Sequence, residues 1–229
     1  AKHDGPILLI LETEYTDDPA ELYLLPLAFA SQEQTLEVME RFKPEVIARL
    51  TVDGSWGLLY DGGHSEEVHR LVLHLLRGRK KIRGRKGELT ASLSKKKRDT
   101  KRGEADKLSS RLLGEPAELS EGGGQSNTSI VIDNRLYLKL YRRFEDGSNP
   151  DTEVVRFLSD QARFTGVPGY LASLEYRRPD SDTLVLALLQ EYVPNQGDAW
   201  NLFQSALSQY YEQVLTGNLI VPSTAFETG

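Results

Sequence analysis

RLYLKLYRRFEDGSNPDTEV, residues 135–154, decides how this chain is read. Side chains alternate across a β-strand, so Leu136, Leu138 and Leu140 face one way and Tyr137, Lys139 and Tyr141 the other. A lone cation, Lys139, therefore sits inside an apolar run, on the face opposite the leucines. After a loop, Asn149-Pro150-Asp151 reads as a helix start, with Asn149 as N-cap and Pro150 at the first helical position. Val154, Val155, Phe157 and Leu158 supply the apolar face of that helix. Glu153 comes early, where the helix dipole favours an acid.

The flanking segments extend the pattern. EGGGQSNTSIVID (121–133) places three glycines and then polar residues before an alternating apolar run, and Asn134 serves a tight turn into the quoted strand. Gly122, Gly123 and Gly124 lack a Cβ, so their N–H groups can approach phosphate oxygens closely, although such a run also serves as a flexible linker. VPGYLASLEYRR (167–178) and TLVLALLQEYV (183–193) read as two more strands around PDSD, the second apolar enough to be covered on both faces. NQGDAWNLFQSALSQYYEQVL (195–215) has a helical pattern with Asp198 placed to cap it.

Upstream, ILLILETEY (7–15) and ELYLLPLAFA (21–30) read as an antiparallel hairpin around Asp17-Asp18-Pro19. VIARLTV (46–52) and WGLLYD (56–61) read as a second one across Asp53-Gly54, while 31–45 is ambiguous. A helix begins at Ser65, with Val68, Leu71, Val72, Leu75 and Leu76 on one face. His64, His69 and His74 are spaced by five residues, about 140° apart on a helix, so they do not converge on a metal. GELTASL (87–93) alternates like a strand, and KKKRDTKRGEAD (95–106) reads as a loop.

In bulk, 229 residues with 39% hydrophobic and 27% charged content fit a soluble globular protein. No apolar run approaches the ~20 residues of a membrane span, so no membrane partner is expected. Cysteine is absent, which excludes disulfide and thiolate–metal chemistry and suits a cytoplasmic location. The net charge of −6 argues against a dedicated nucleic-acid binder. The strongly basic run 77–102 lacks the interleaved aromatics of a single-strand binder and reads as a solvated face.

Strand lysine, loop and helix glutamate is the arrangement with which protein kinases hold nucleotide phosphates: the lysine touches the α/β-phosphates and the acid keeps it aimed. The set SNTSIVIDNRLYLKLYRR, GSNPDTEVVRFL and LLQEYVPNQGDAW resembles bacterial maltokinases, often fused to or encoded with trehalose synthase. These belong to the aminoglycoside-phosphotransferase-like branch of the protein-kinase-like fold. The resemblance is densest over about 125–200; ELYLLPLAFA and RGRKGEL are looser matches to the family's N-terminal cap subdomain.

The resemblance implies ATP-dependent phosphorylation of maltose to maltose 1-phosphate, with Mg²⁺ as cofactor and a trehalose synthase as possible partner. It also implies that Lys139 contacts the phosphates and pairs with Glu153, with Gly123, Gly124, Gln125, Ser126 and Asn127 as the loop over them. Glu191 and Val193 would offer hinge backbone groups to adenine. The expected fold is α+β: a cap subdomain (1–106), a kinase-like N-lobe of antiparallel sheet with one packed helix (107–195), and the start of a helical C-lobe (196–229). The family's HGD-type loop and IDFEG-type segment do not occur: no His follows His74 and no Asp follows Asp198. The expectation is thus an N-terminal fragment with most of the C-lobe absent, inactive alone, without catalytic residues and with its Mg²⁺ ligands elsewhere. Alternatives are a fragment of another small-molecule kinase of this fold, acting on another sugar or an aminoglycoside, and a non-catalytic docking module of a trehalose synthase fusion.

Overall fold

The structure, a computed structural model, describes residues 5–78, 81–94, 127–144, 149–179, 181–197 and 199–217. The loop expected at 95–106, the glycine run with Gly123, Gly124, Gln125 and Ser126, and Asp198 lie outside the described residues. The architecture is mixed α+β, with two antiparallel sheets and, among the described residues, four α-helices.

Strands β1 (Ile7–Thr13) and β2 (Glu21–Ser31) form the first hairpin, and β3 (Val46–Val52) and β4 (Ser55–Asp61) the second. Asp53 and Gly54 both take positive φ, 50° and 84°, the conformation that a two-residue hairpin turn requires. The ambiguous 31–45 segment holds the short helix α1 (Thr35–Arg41). The strands assemble in the order β1-β2-β4-β3. Helix α2 (Glu66–Arg77) follows, capped by the Ser65 hydroxyl, which accepts from the Val68 N–H at 3.3 Å.

The second sheet draws on both expected segments. Its order is β5-β6-β10-β11-β8-β7, from β5 (Ile82–Arg83), β6 (Glu88–Leu93), β7 (Asn127–Ile132), β8 (Leu136–Tyr141), β10 (Tyr170–Arg177) and β11 (Leu184–Glu191). Between β8 and β10 lie the short strand β9 (Arg143–Phe144) and helix α3 (Pro150–Arg156), which runs into a wide helical turn, Phe157–Gln161. The α2 residues Val68, Val72, Leu73 and Leu76 share one core with Ile130, Leu138, Leu140, Leu174 and Leu186 of the sheet. The other face of the sheet buries Tyr141, Tyr170 and Leu188, with Val155 of α3 against them.

No separation of cores occurs at 106/107. Strands β5 and β6 from the first segment pair onward to β10, while β9 from the second pairs with β2 in the first sheet. Arg142, between β8 and β9, seals that crossover: its Nε donates to the Leu24 carbonyl at 3.0 Å, its carbonyl accepts from the Leu24 N–H at 2.9 Å, and its guanidinium pairs with Asp61. Residues 1–192 thus form one compact unit, and 193–229 a second. In the second, helix α4 (Ala199–Leu215) carries Trp200, Leu202, Phe203 and Leu207 exposed. Among the described residues no helix is long and apolar enough to cross a membrane.

Candidate functional site

The turn between β7 and β8 aims Lys139. The connection has three residues, Asp133–Arg135; Asp133 and Asn134 both take positive φ, 52° and 47°, which Asp and Asn tolerate best among residues with a side chain, and the Arg135 N–H donates to the Ile132 carbonyl at 3.1 Å. That turn sets the register Ile132↔Leu136, and hence Ser129↔Lys139. A slip of one residue would drive the ammonium into the leucine core, so turn and core enforce the same pairing. Leu136, Leu138 and Leu140 are buried on one face; Tyr137 and Lys139 are half-buried on the other.

Helix α3 brings the counter-charge. The Asn149 side chain accepts from the Thr152 N–H at 3.0 Å and Pro150 opens the first turn, as the sequence pattern predicts. The carboxylate that meets the Lys139 Nζ is Asp151, not Glu153. Asp151 thus stands where Glu153 was expected. The reason is helical phase. Thr152 is buried and faces the sheet, and its neighbours on either side diverge by about 100° each. Asp151 and Glu153 thus flank the buried stripe on opposite sides, and the Asp151 side reaches Lys139. Strand–helix reasoning found an acid in the first turn but had no means of choosing its face.

The neighbourhood is more structured than one ion pair. The Lys139 Nζ lies 5.3 Å from the Tyr141 ring centre, and the Tyr141 hydroxyl is 3.4 Å from Thr152 Oγ1. Burial, and then Asp151 nearby, pushes the Tyr141 hydroxyl pKa far above its usual value, so Tyr141 stays neutral. Ser129, directly across the ladder from Lys139, is 4% exposed, and its Oγ has no hydrogen-bond partner among the described residues. An unpaired buried hydroxyl costs about 1–3 kcal/mol and invites a ligand atom. Ser129 belongs to the quoted SNTSIVIDNRLYLKLYRR stretch; its parity with Lys139 across the hairpin was the available signal.

A buried carboxylate holds α3 in place. Glu175 on β10 lies within 3.6 Å of Arg156 of α3 and 2.9 Å of Arg177, and accepts from the Ser173 hydroxyl at 3.0 Å. The Ser159 hydroxyl accepts from the Tyr170 N–H at 3.0 Å, tying the wide turn to the same strand.

Three of the remaining expected site residues are described. Asn127 opens β7 opposite Tyr141. The Glu191 N–H donates to the Gly169 carbonyl at 2.9 Å and its side chain rests on Gly169, where an added Cβ would meet Oε2 at 2.5 Å. In the second unit the Val193 carbonyl accepts from the Asn195 side chain at 3.2 Å. Both hinge positions thus have one backbone group already engaged. Among the described residues no group of three or more His, Asp or Glu could hold a metal ion.

No protein-family model matches the chain. The arrangement in hand is therefore chemical: an ammonium held by a half-exposed carboxylate, beside an unsatisfied hydroxyl, on a sheet covered on both faces. Such a group can neutralise and orient one or two phosphate oxygens.

Proposed function

We propose that this chain supplies the nucleotide-holding part of an ATP-dependent small-molecule kinase, with maltose as the acceptor that the sequence resemblance favours. The observation that carries the reading is Lys139, paired with Asp151 and facing the unpartnered Ser129 hydroxyl. A cation in a sheet otherwise packed on both faces has a desolvation cost that apolar residues would avoid, and a polyphosphate would offset it. The order strand, strand, helix, strand, strand over 127–191, with the helix laid on the lysine face, supports a kinase-like N-lobe. In this reading Lys139 holds the phosphates, and Asp151 takes the steadying role expected of Glu153. The backbone of Glu191 would then serve adenine, as the sequence resemblance implies. Mg²⁺ would shield the transferred phosphoryl group, held by residues other than those described. A trehalose synthase remains the proposed partner and the cytoplasm the proposed location.

The test is a calorimetric titration of the chain with ATP. Lys139→Met should weaken binding roughly ten-fold or more, the scale of lost charge-assisted hydrogen bonds. Asp151→Asn should weaken it less, and Glu153→Gln least. ATP binding unaffected by Lys139→Met overturns the reading. Phosphorylation assays of the intact protein with maltose against other sugars then decide the acceptor.

A further inference from the structure

The fold gathers part of the basic run at one corner of the six-stranded sheet. Strand β5 ends that sheet, and among the described residues it pairs only with β6. The register Arg83↔Glu88↔Arg177 lays a row of charge across β5, β6 and β10. The turn 84–87 then folds against the end of β10. A Cβ on Gly87 would meet the Arg177 carbonyl at 2.3 Å and the Tyr176 ring at 2.9 Å, so a larger residue would push the turn off the strand. Lys81, Arg83, Arg85 and Lys86 thereby come to the same corner as Arg177 and Arg178, which lie far along the chain.

Most of this charge is unanswered. Lys81 pairs with Glu88 at 2.6 Å and Arg177 with Glu175 at 2.9 Å. Arg83, Arg85, Lys86 and Arg178 make no ion pair among the described residues, and the first three are exposed. The nearby acids are the engaged Glu88 and Glu175, and Asp182, exposed in the turn between β10 and β11. Cations on an edge strand keep it from pairing with its like, and that role needs only solvated charges. The Arg178 Nε goes further: it is shielded from water and has no hydrogen-bond partner, a donor that lacks its acceptor.

The corner also shows which anion it suits. The hydrogen bond from Lys81, and then the charges of Arg177 and Arg83, hold the Glu88 carboxyl below its usual value, so a carboxylate is at home there. Arginine forks match further carboxylates in bidentate geometry. Ile82, 45% exposed between Lys81 and Arg83, offers an apolar contact, and the outer edge of β5 offers backbone groups to an extended chain. A single-stranded nucleic acid would find counter-charge but no ring to stack on, because Tyr176 is half-buried against Gly84 and Gly87.

We propose that this corner is a docking surface for an extended acidic segment of a partner protein, its carboxylates on Arg83, Arg85, Lys86 and Arg178 and its backbone along β5. The probe is a fluorescein-labelled peptide of about eight residues alternating glutamate and valine, titrated with the full chain and followed by fluorescence anisotropy. The comparators are the lysine–valine counterpart and a labelled single-stranded oligothymidylate. The expected result is saturable binding of the glutamate peptide alone, weakening as salt is raised from roughly 50 to 200 mM. The double variant Arg83→Glu/Arg85→Glu, at two exposed positions, should bind it roughly ten-fold more weakly, the scale of a few surface ion pairs turned repulsive. Lys43→Glu, which reverses a charge in the short helical turn before β3, should bind like the parent. Oligothymidylate binding as tight as the peptide's, no saturable peptide binding, unchanged affinity in the double variant, or an equal loss in Lys43→Glu each overturn the proposal.

Discussion

The two sheets meet water differently. On the five-stranded sheet, β1 and β3 leave Ile7, Leu9, Leu11, Ile47, Leu50 and Val52 exposed. On the six-stranded sheet, α2 packs on one face of β7, β8, β10 and β11, and on the other α3 lies against Tyr141, Tyr170 and Leu188. The contrast decides what a polar residue means. Where water is in contact, a charged side chain costs little and says little. Between two packed layers an ionisable or hydroxyl group costs several kcal/mol unless it is partnered, so Lys139, Ser129 and Glu175 carry information that Arg49 or Glu12 does not.

The sharpest way to break this contrast is to remove equal bulk from each sheet. Leu138→Ala, at a fully buried position, should cost about 2–5 kcal/mol of unfolding free energy, while Ile47→Ala should stay within about 1 kcal/mol, both by urea denaturation. Comparable losses would mean that the first sheet is covered in solution. Glu175→Gln should cost about 1–2 kcal/mol: the acid is buried, but Arg156 and Arg177 are about half exposed, and solvent discounts their contribution. A neutral outcome would show that α3 is held by packing alone. Ser129→Ala sharpens the contrast in the opposite direction. Removing a buried hydroxyl that lacks a partner should leave the unliganded chain unchanged or up to about 1 kcal/mol more stable, yet weaken ATP binding. Destabilisation would show that the hydroxyl is already satisfied.

The smallest effect concerns pH on the open side. The folded-state pKa of His69 is lowered by burial, so the unfolded chain binds more protons as pH falls through the imidazole range. Its stabilising contribution is full above the ordinary value of about 6.5 and is lost as pH falls toward the lowered one. His69→Gln, which keeps a donor for the Gly63 carbonyl, should flatten the decline in denaturation midpoint between about pH 7 and 5 relative to the parent. An unchanged slope would show that His69 is not the group responsible.

Much of this was legible along the chain. Asp53-Gly54 and Asn134 placed two hairpins, and Ser65 and Asn149 placed two helix starts, because turns and caps are satisfied by residues within a few positions of one another. Alternation around Lys139 put the leucines on one face and the ammonium on the other, because a strand offers only two faces. The misjudged features were non-local. That β5 and β6 join the sheet of β8, and that Arg142 seals the crossover, depends on cores built from residues far apart in sequence.

Sequence alone determined where most of the longer strands and helices lie, which residues share a face, and that one cation stands among apolar neighbours, since periodicity and turn chemistry act over a few residues. Tertiary structure alone decided that Asp151 rather than Glu153 meets that cation, that Ser129 lies beside it without a partner, and that Arg177 and Arg178 join the basic turn after β5. Rotation of a helix on a sheet is set by the packing of its buried stripe, here Thr152 and Val155, and no local pattern encodes which flank of that stripe faces the strand.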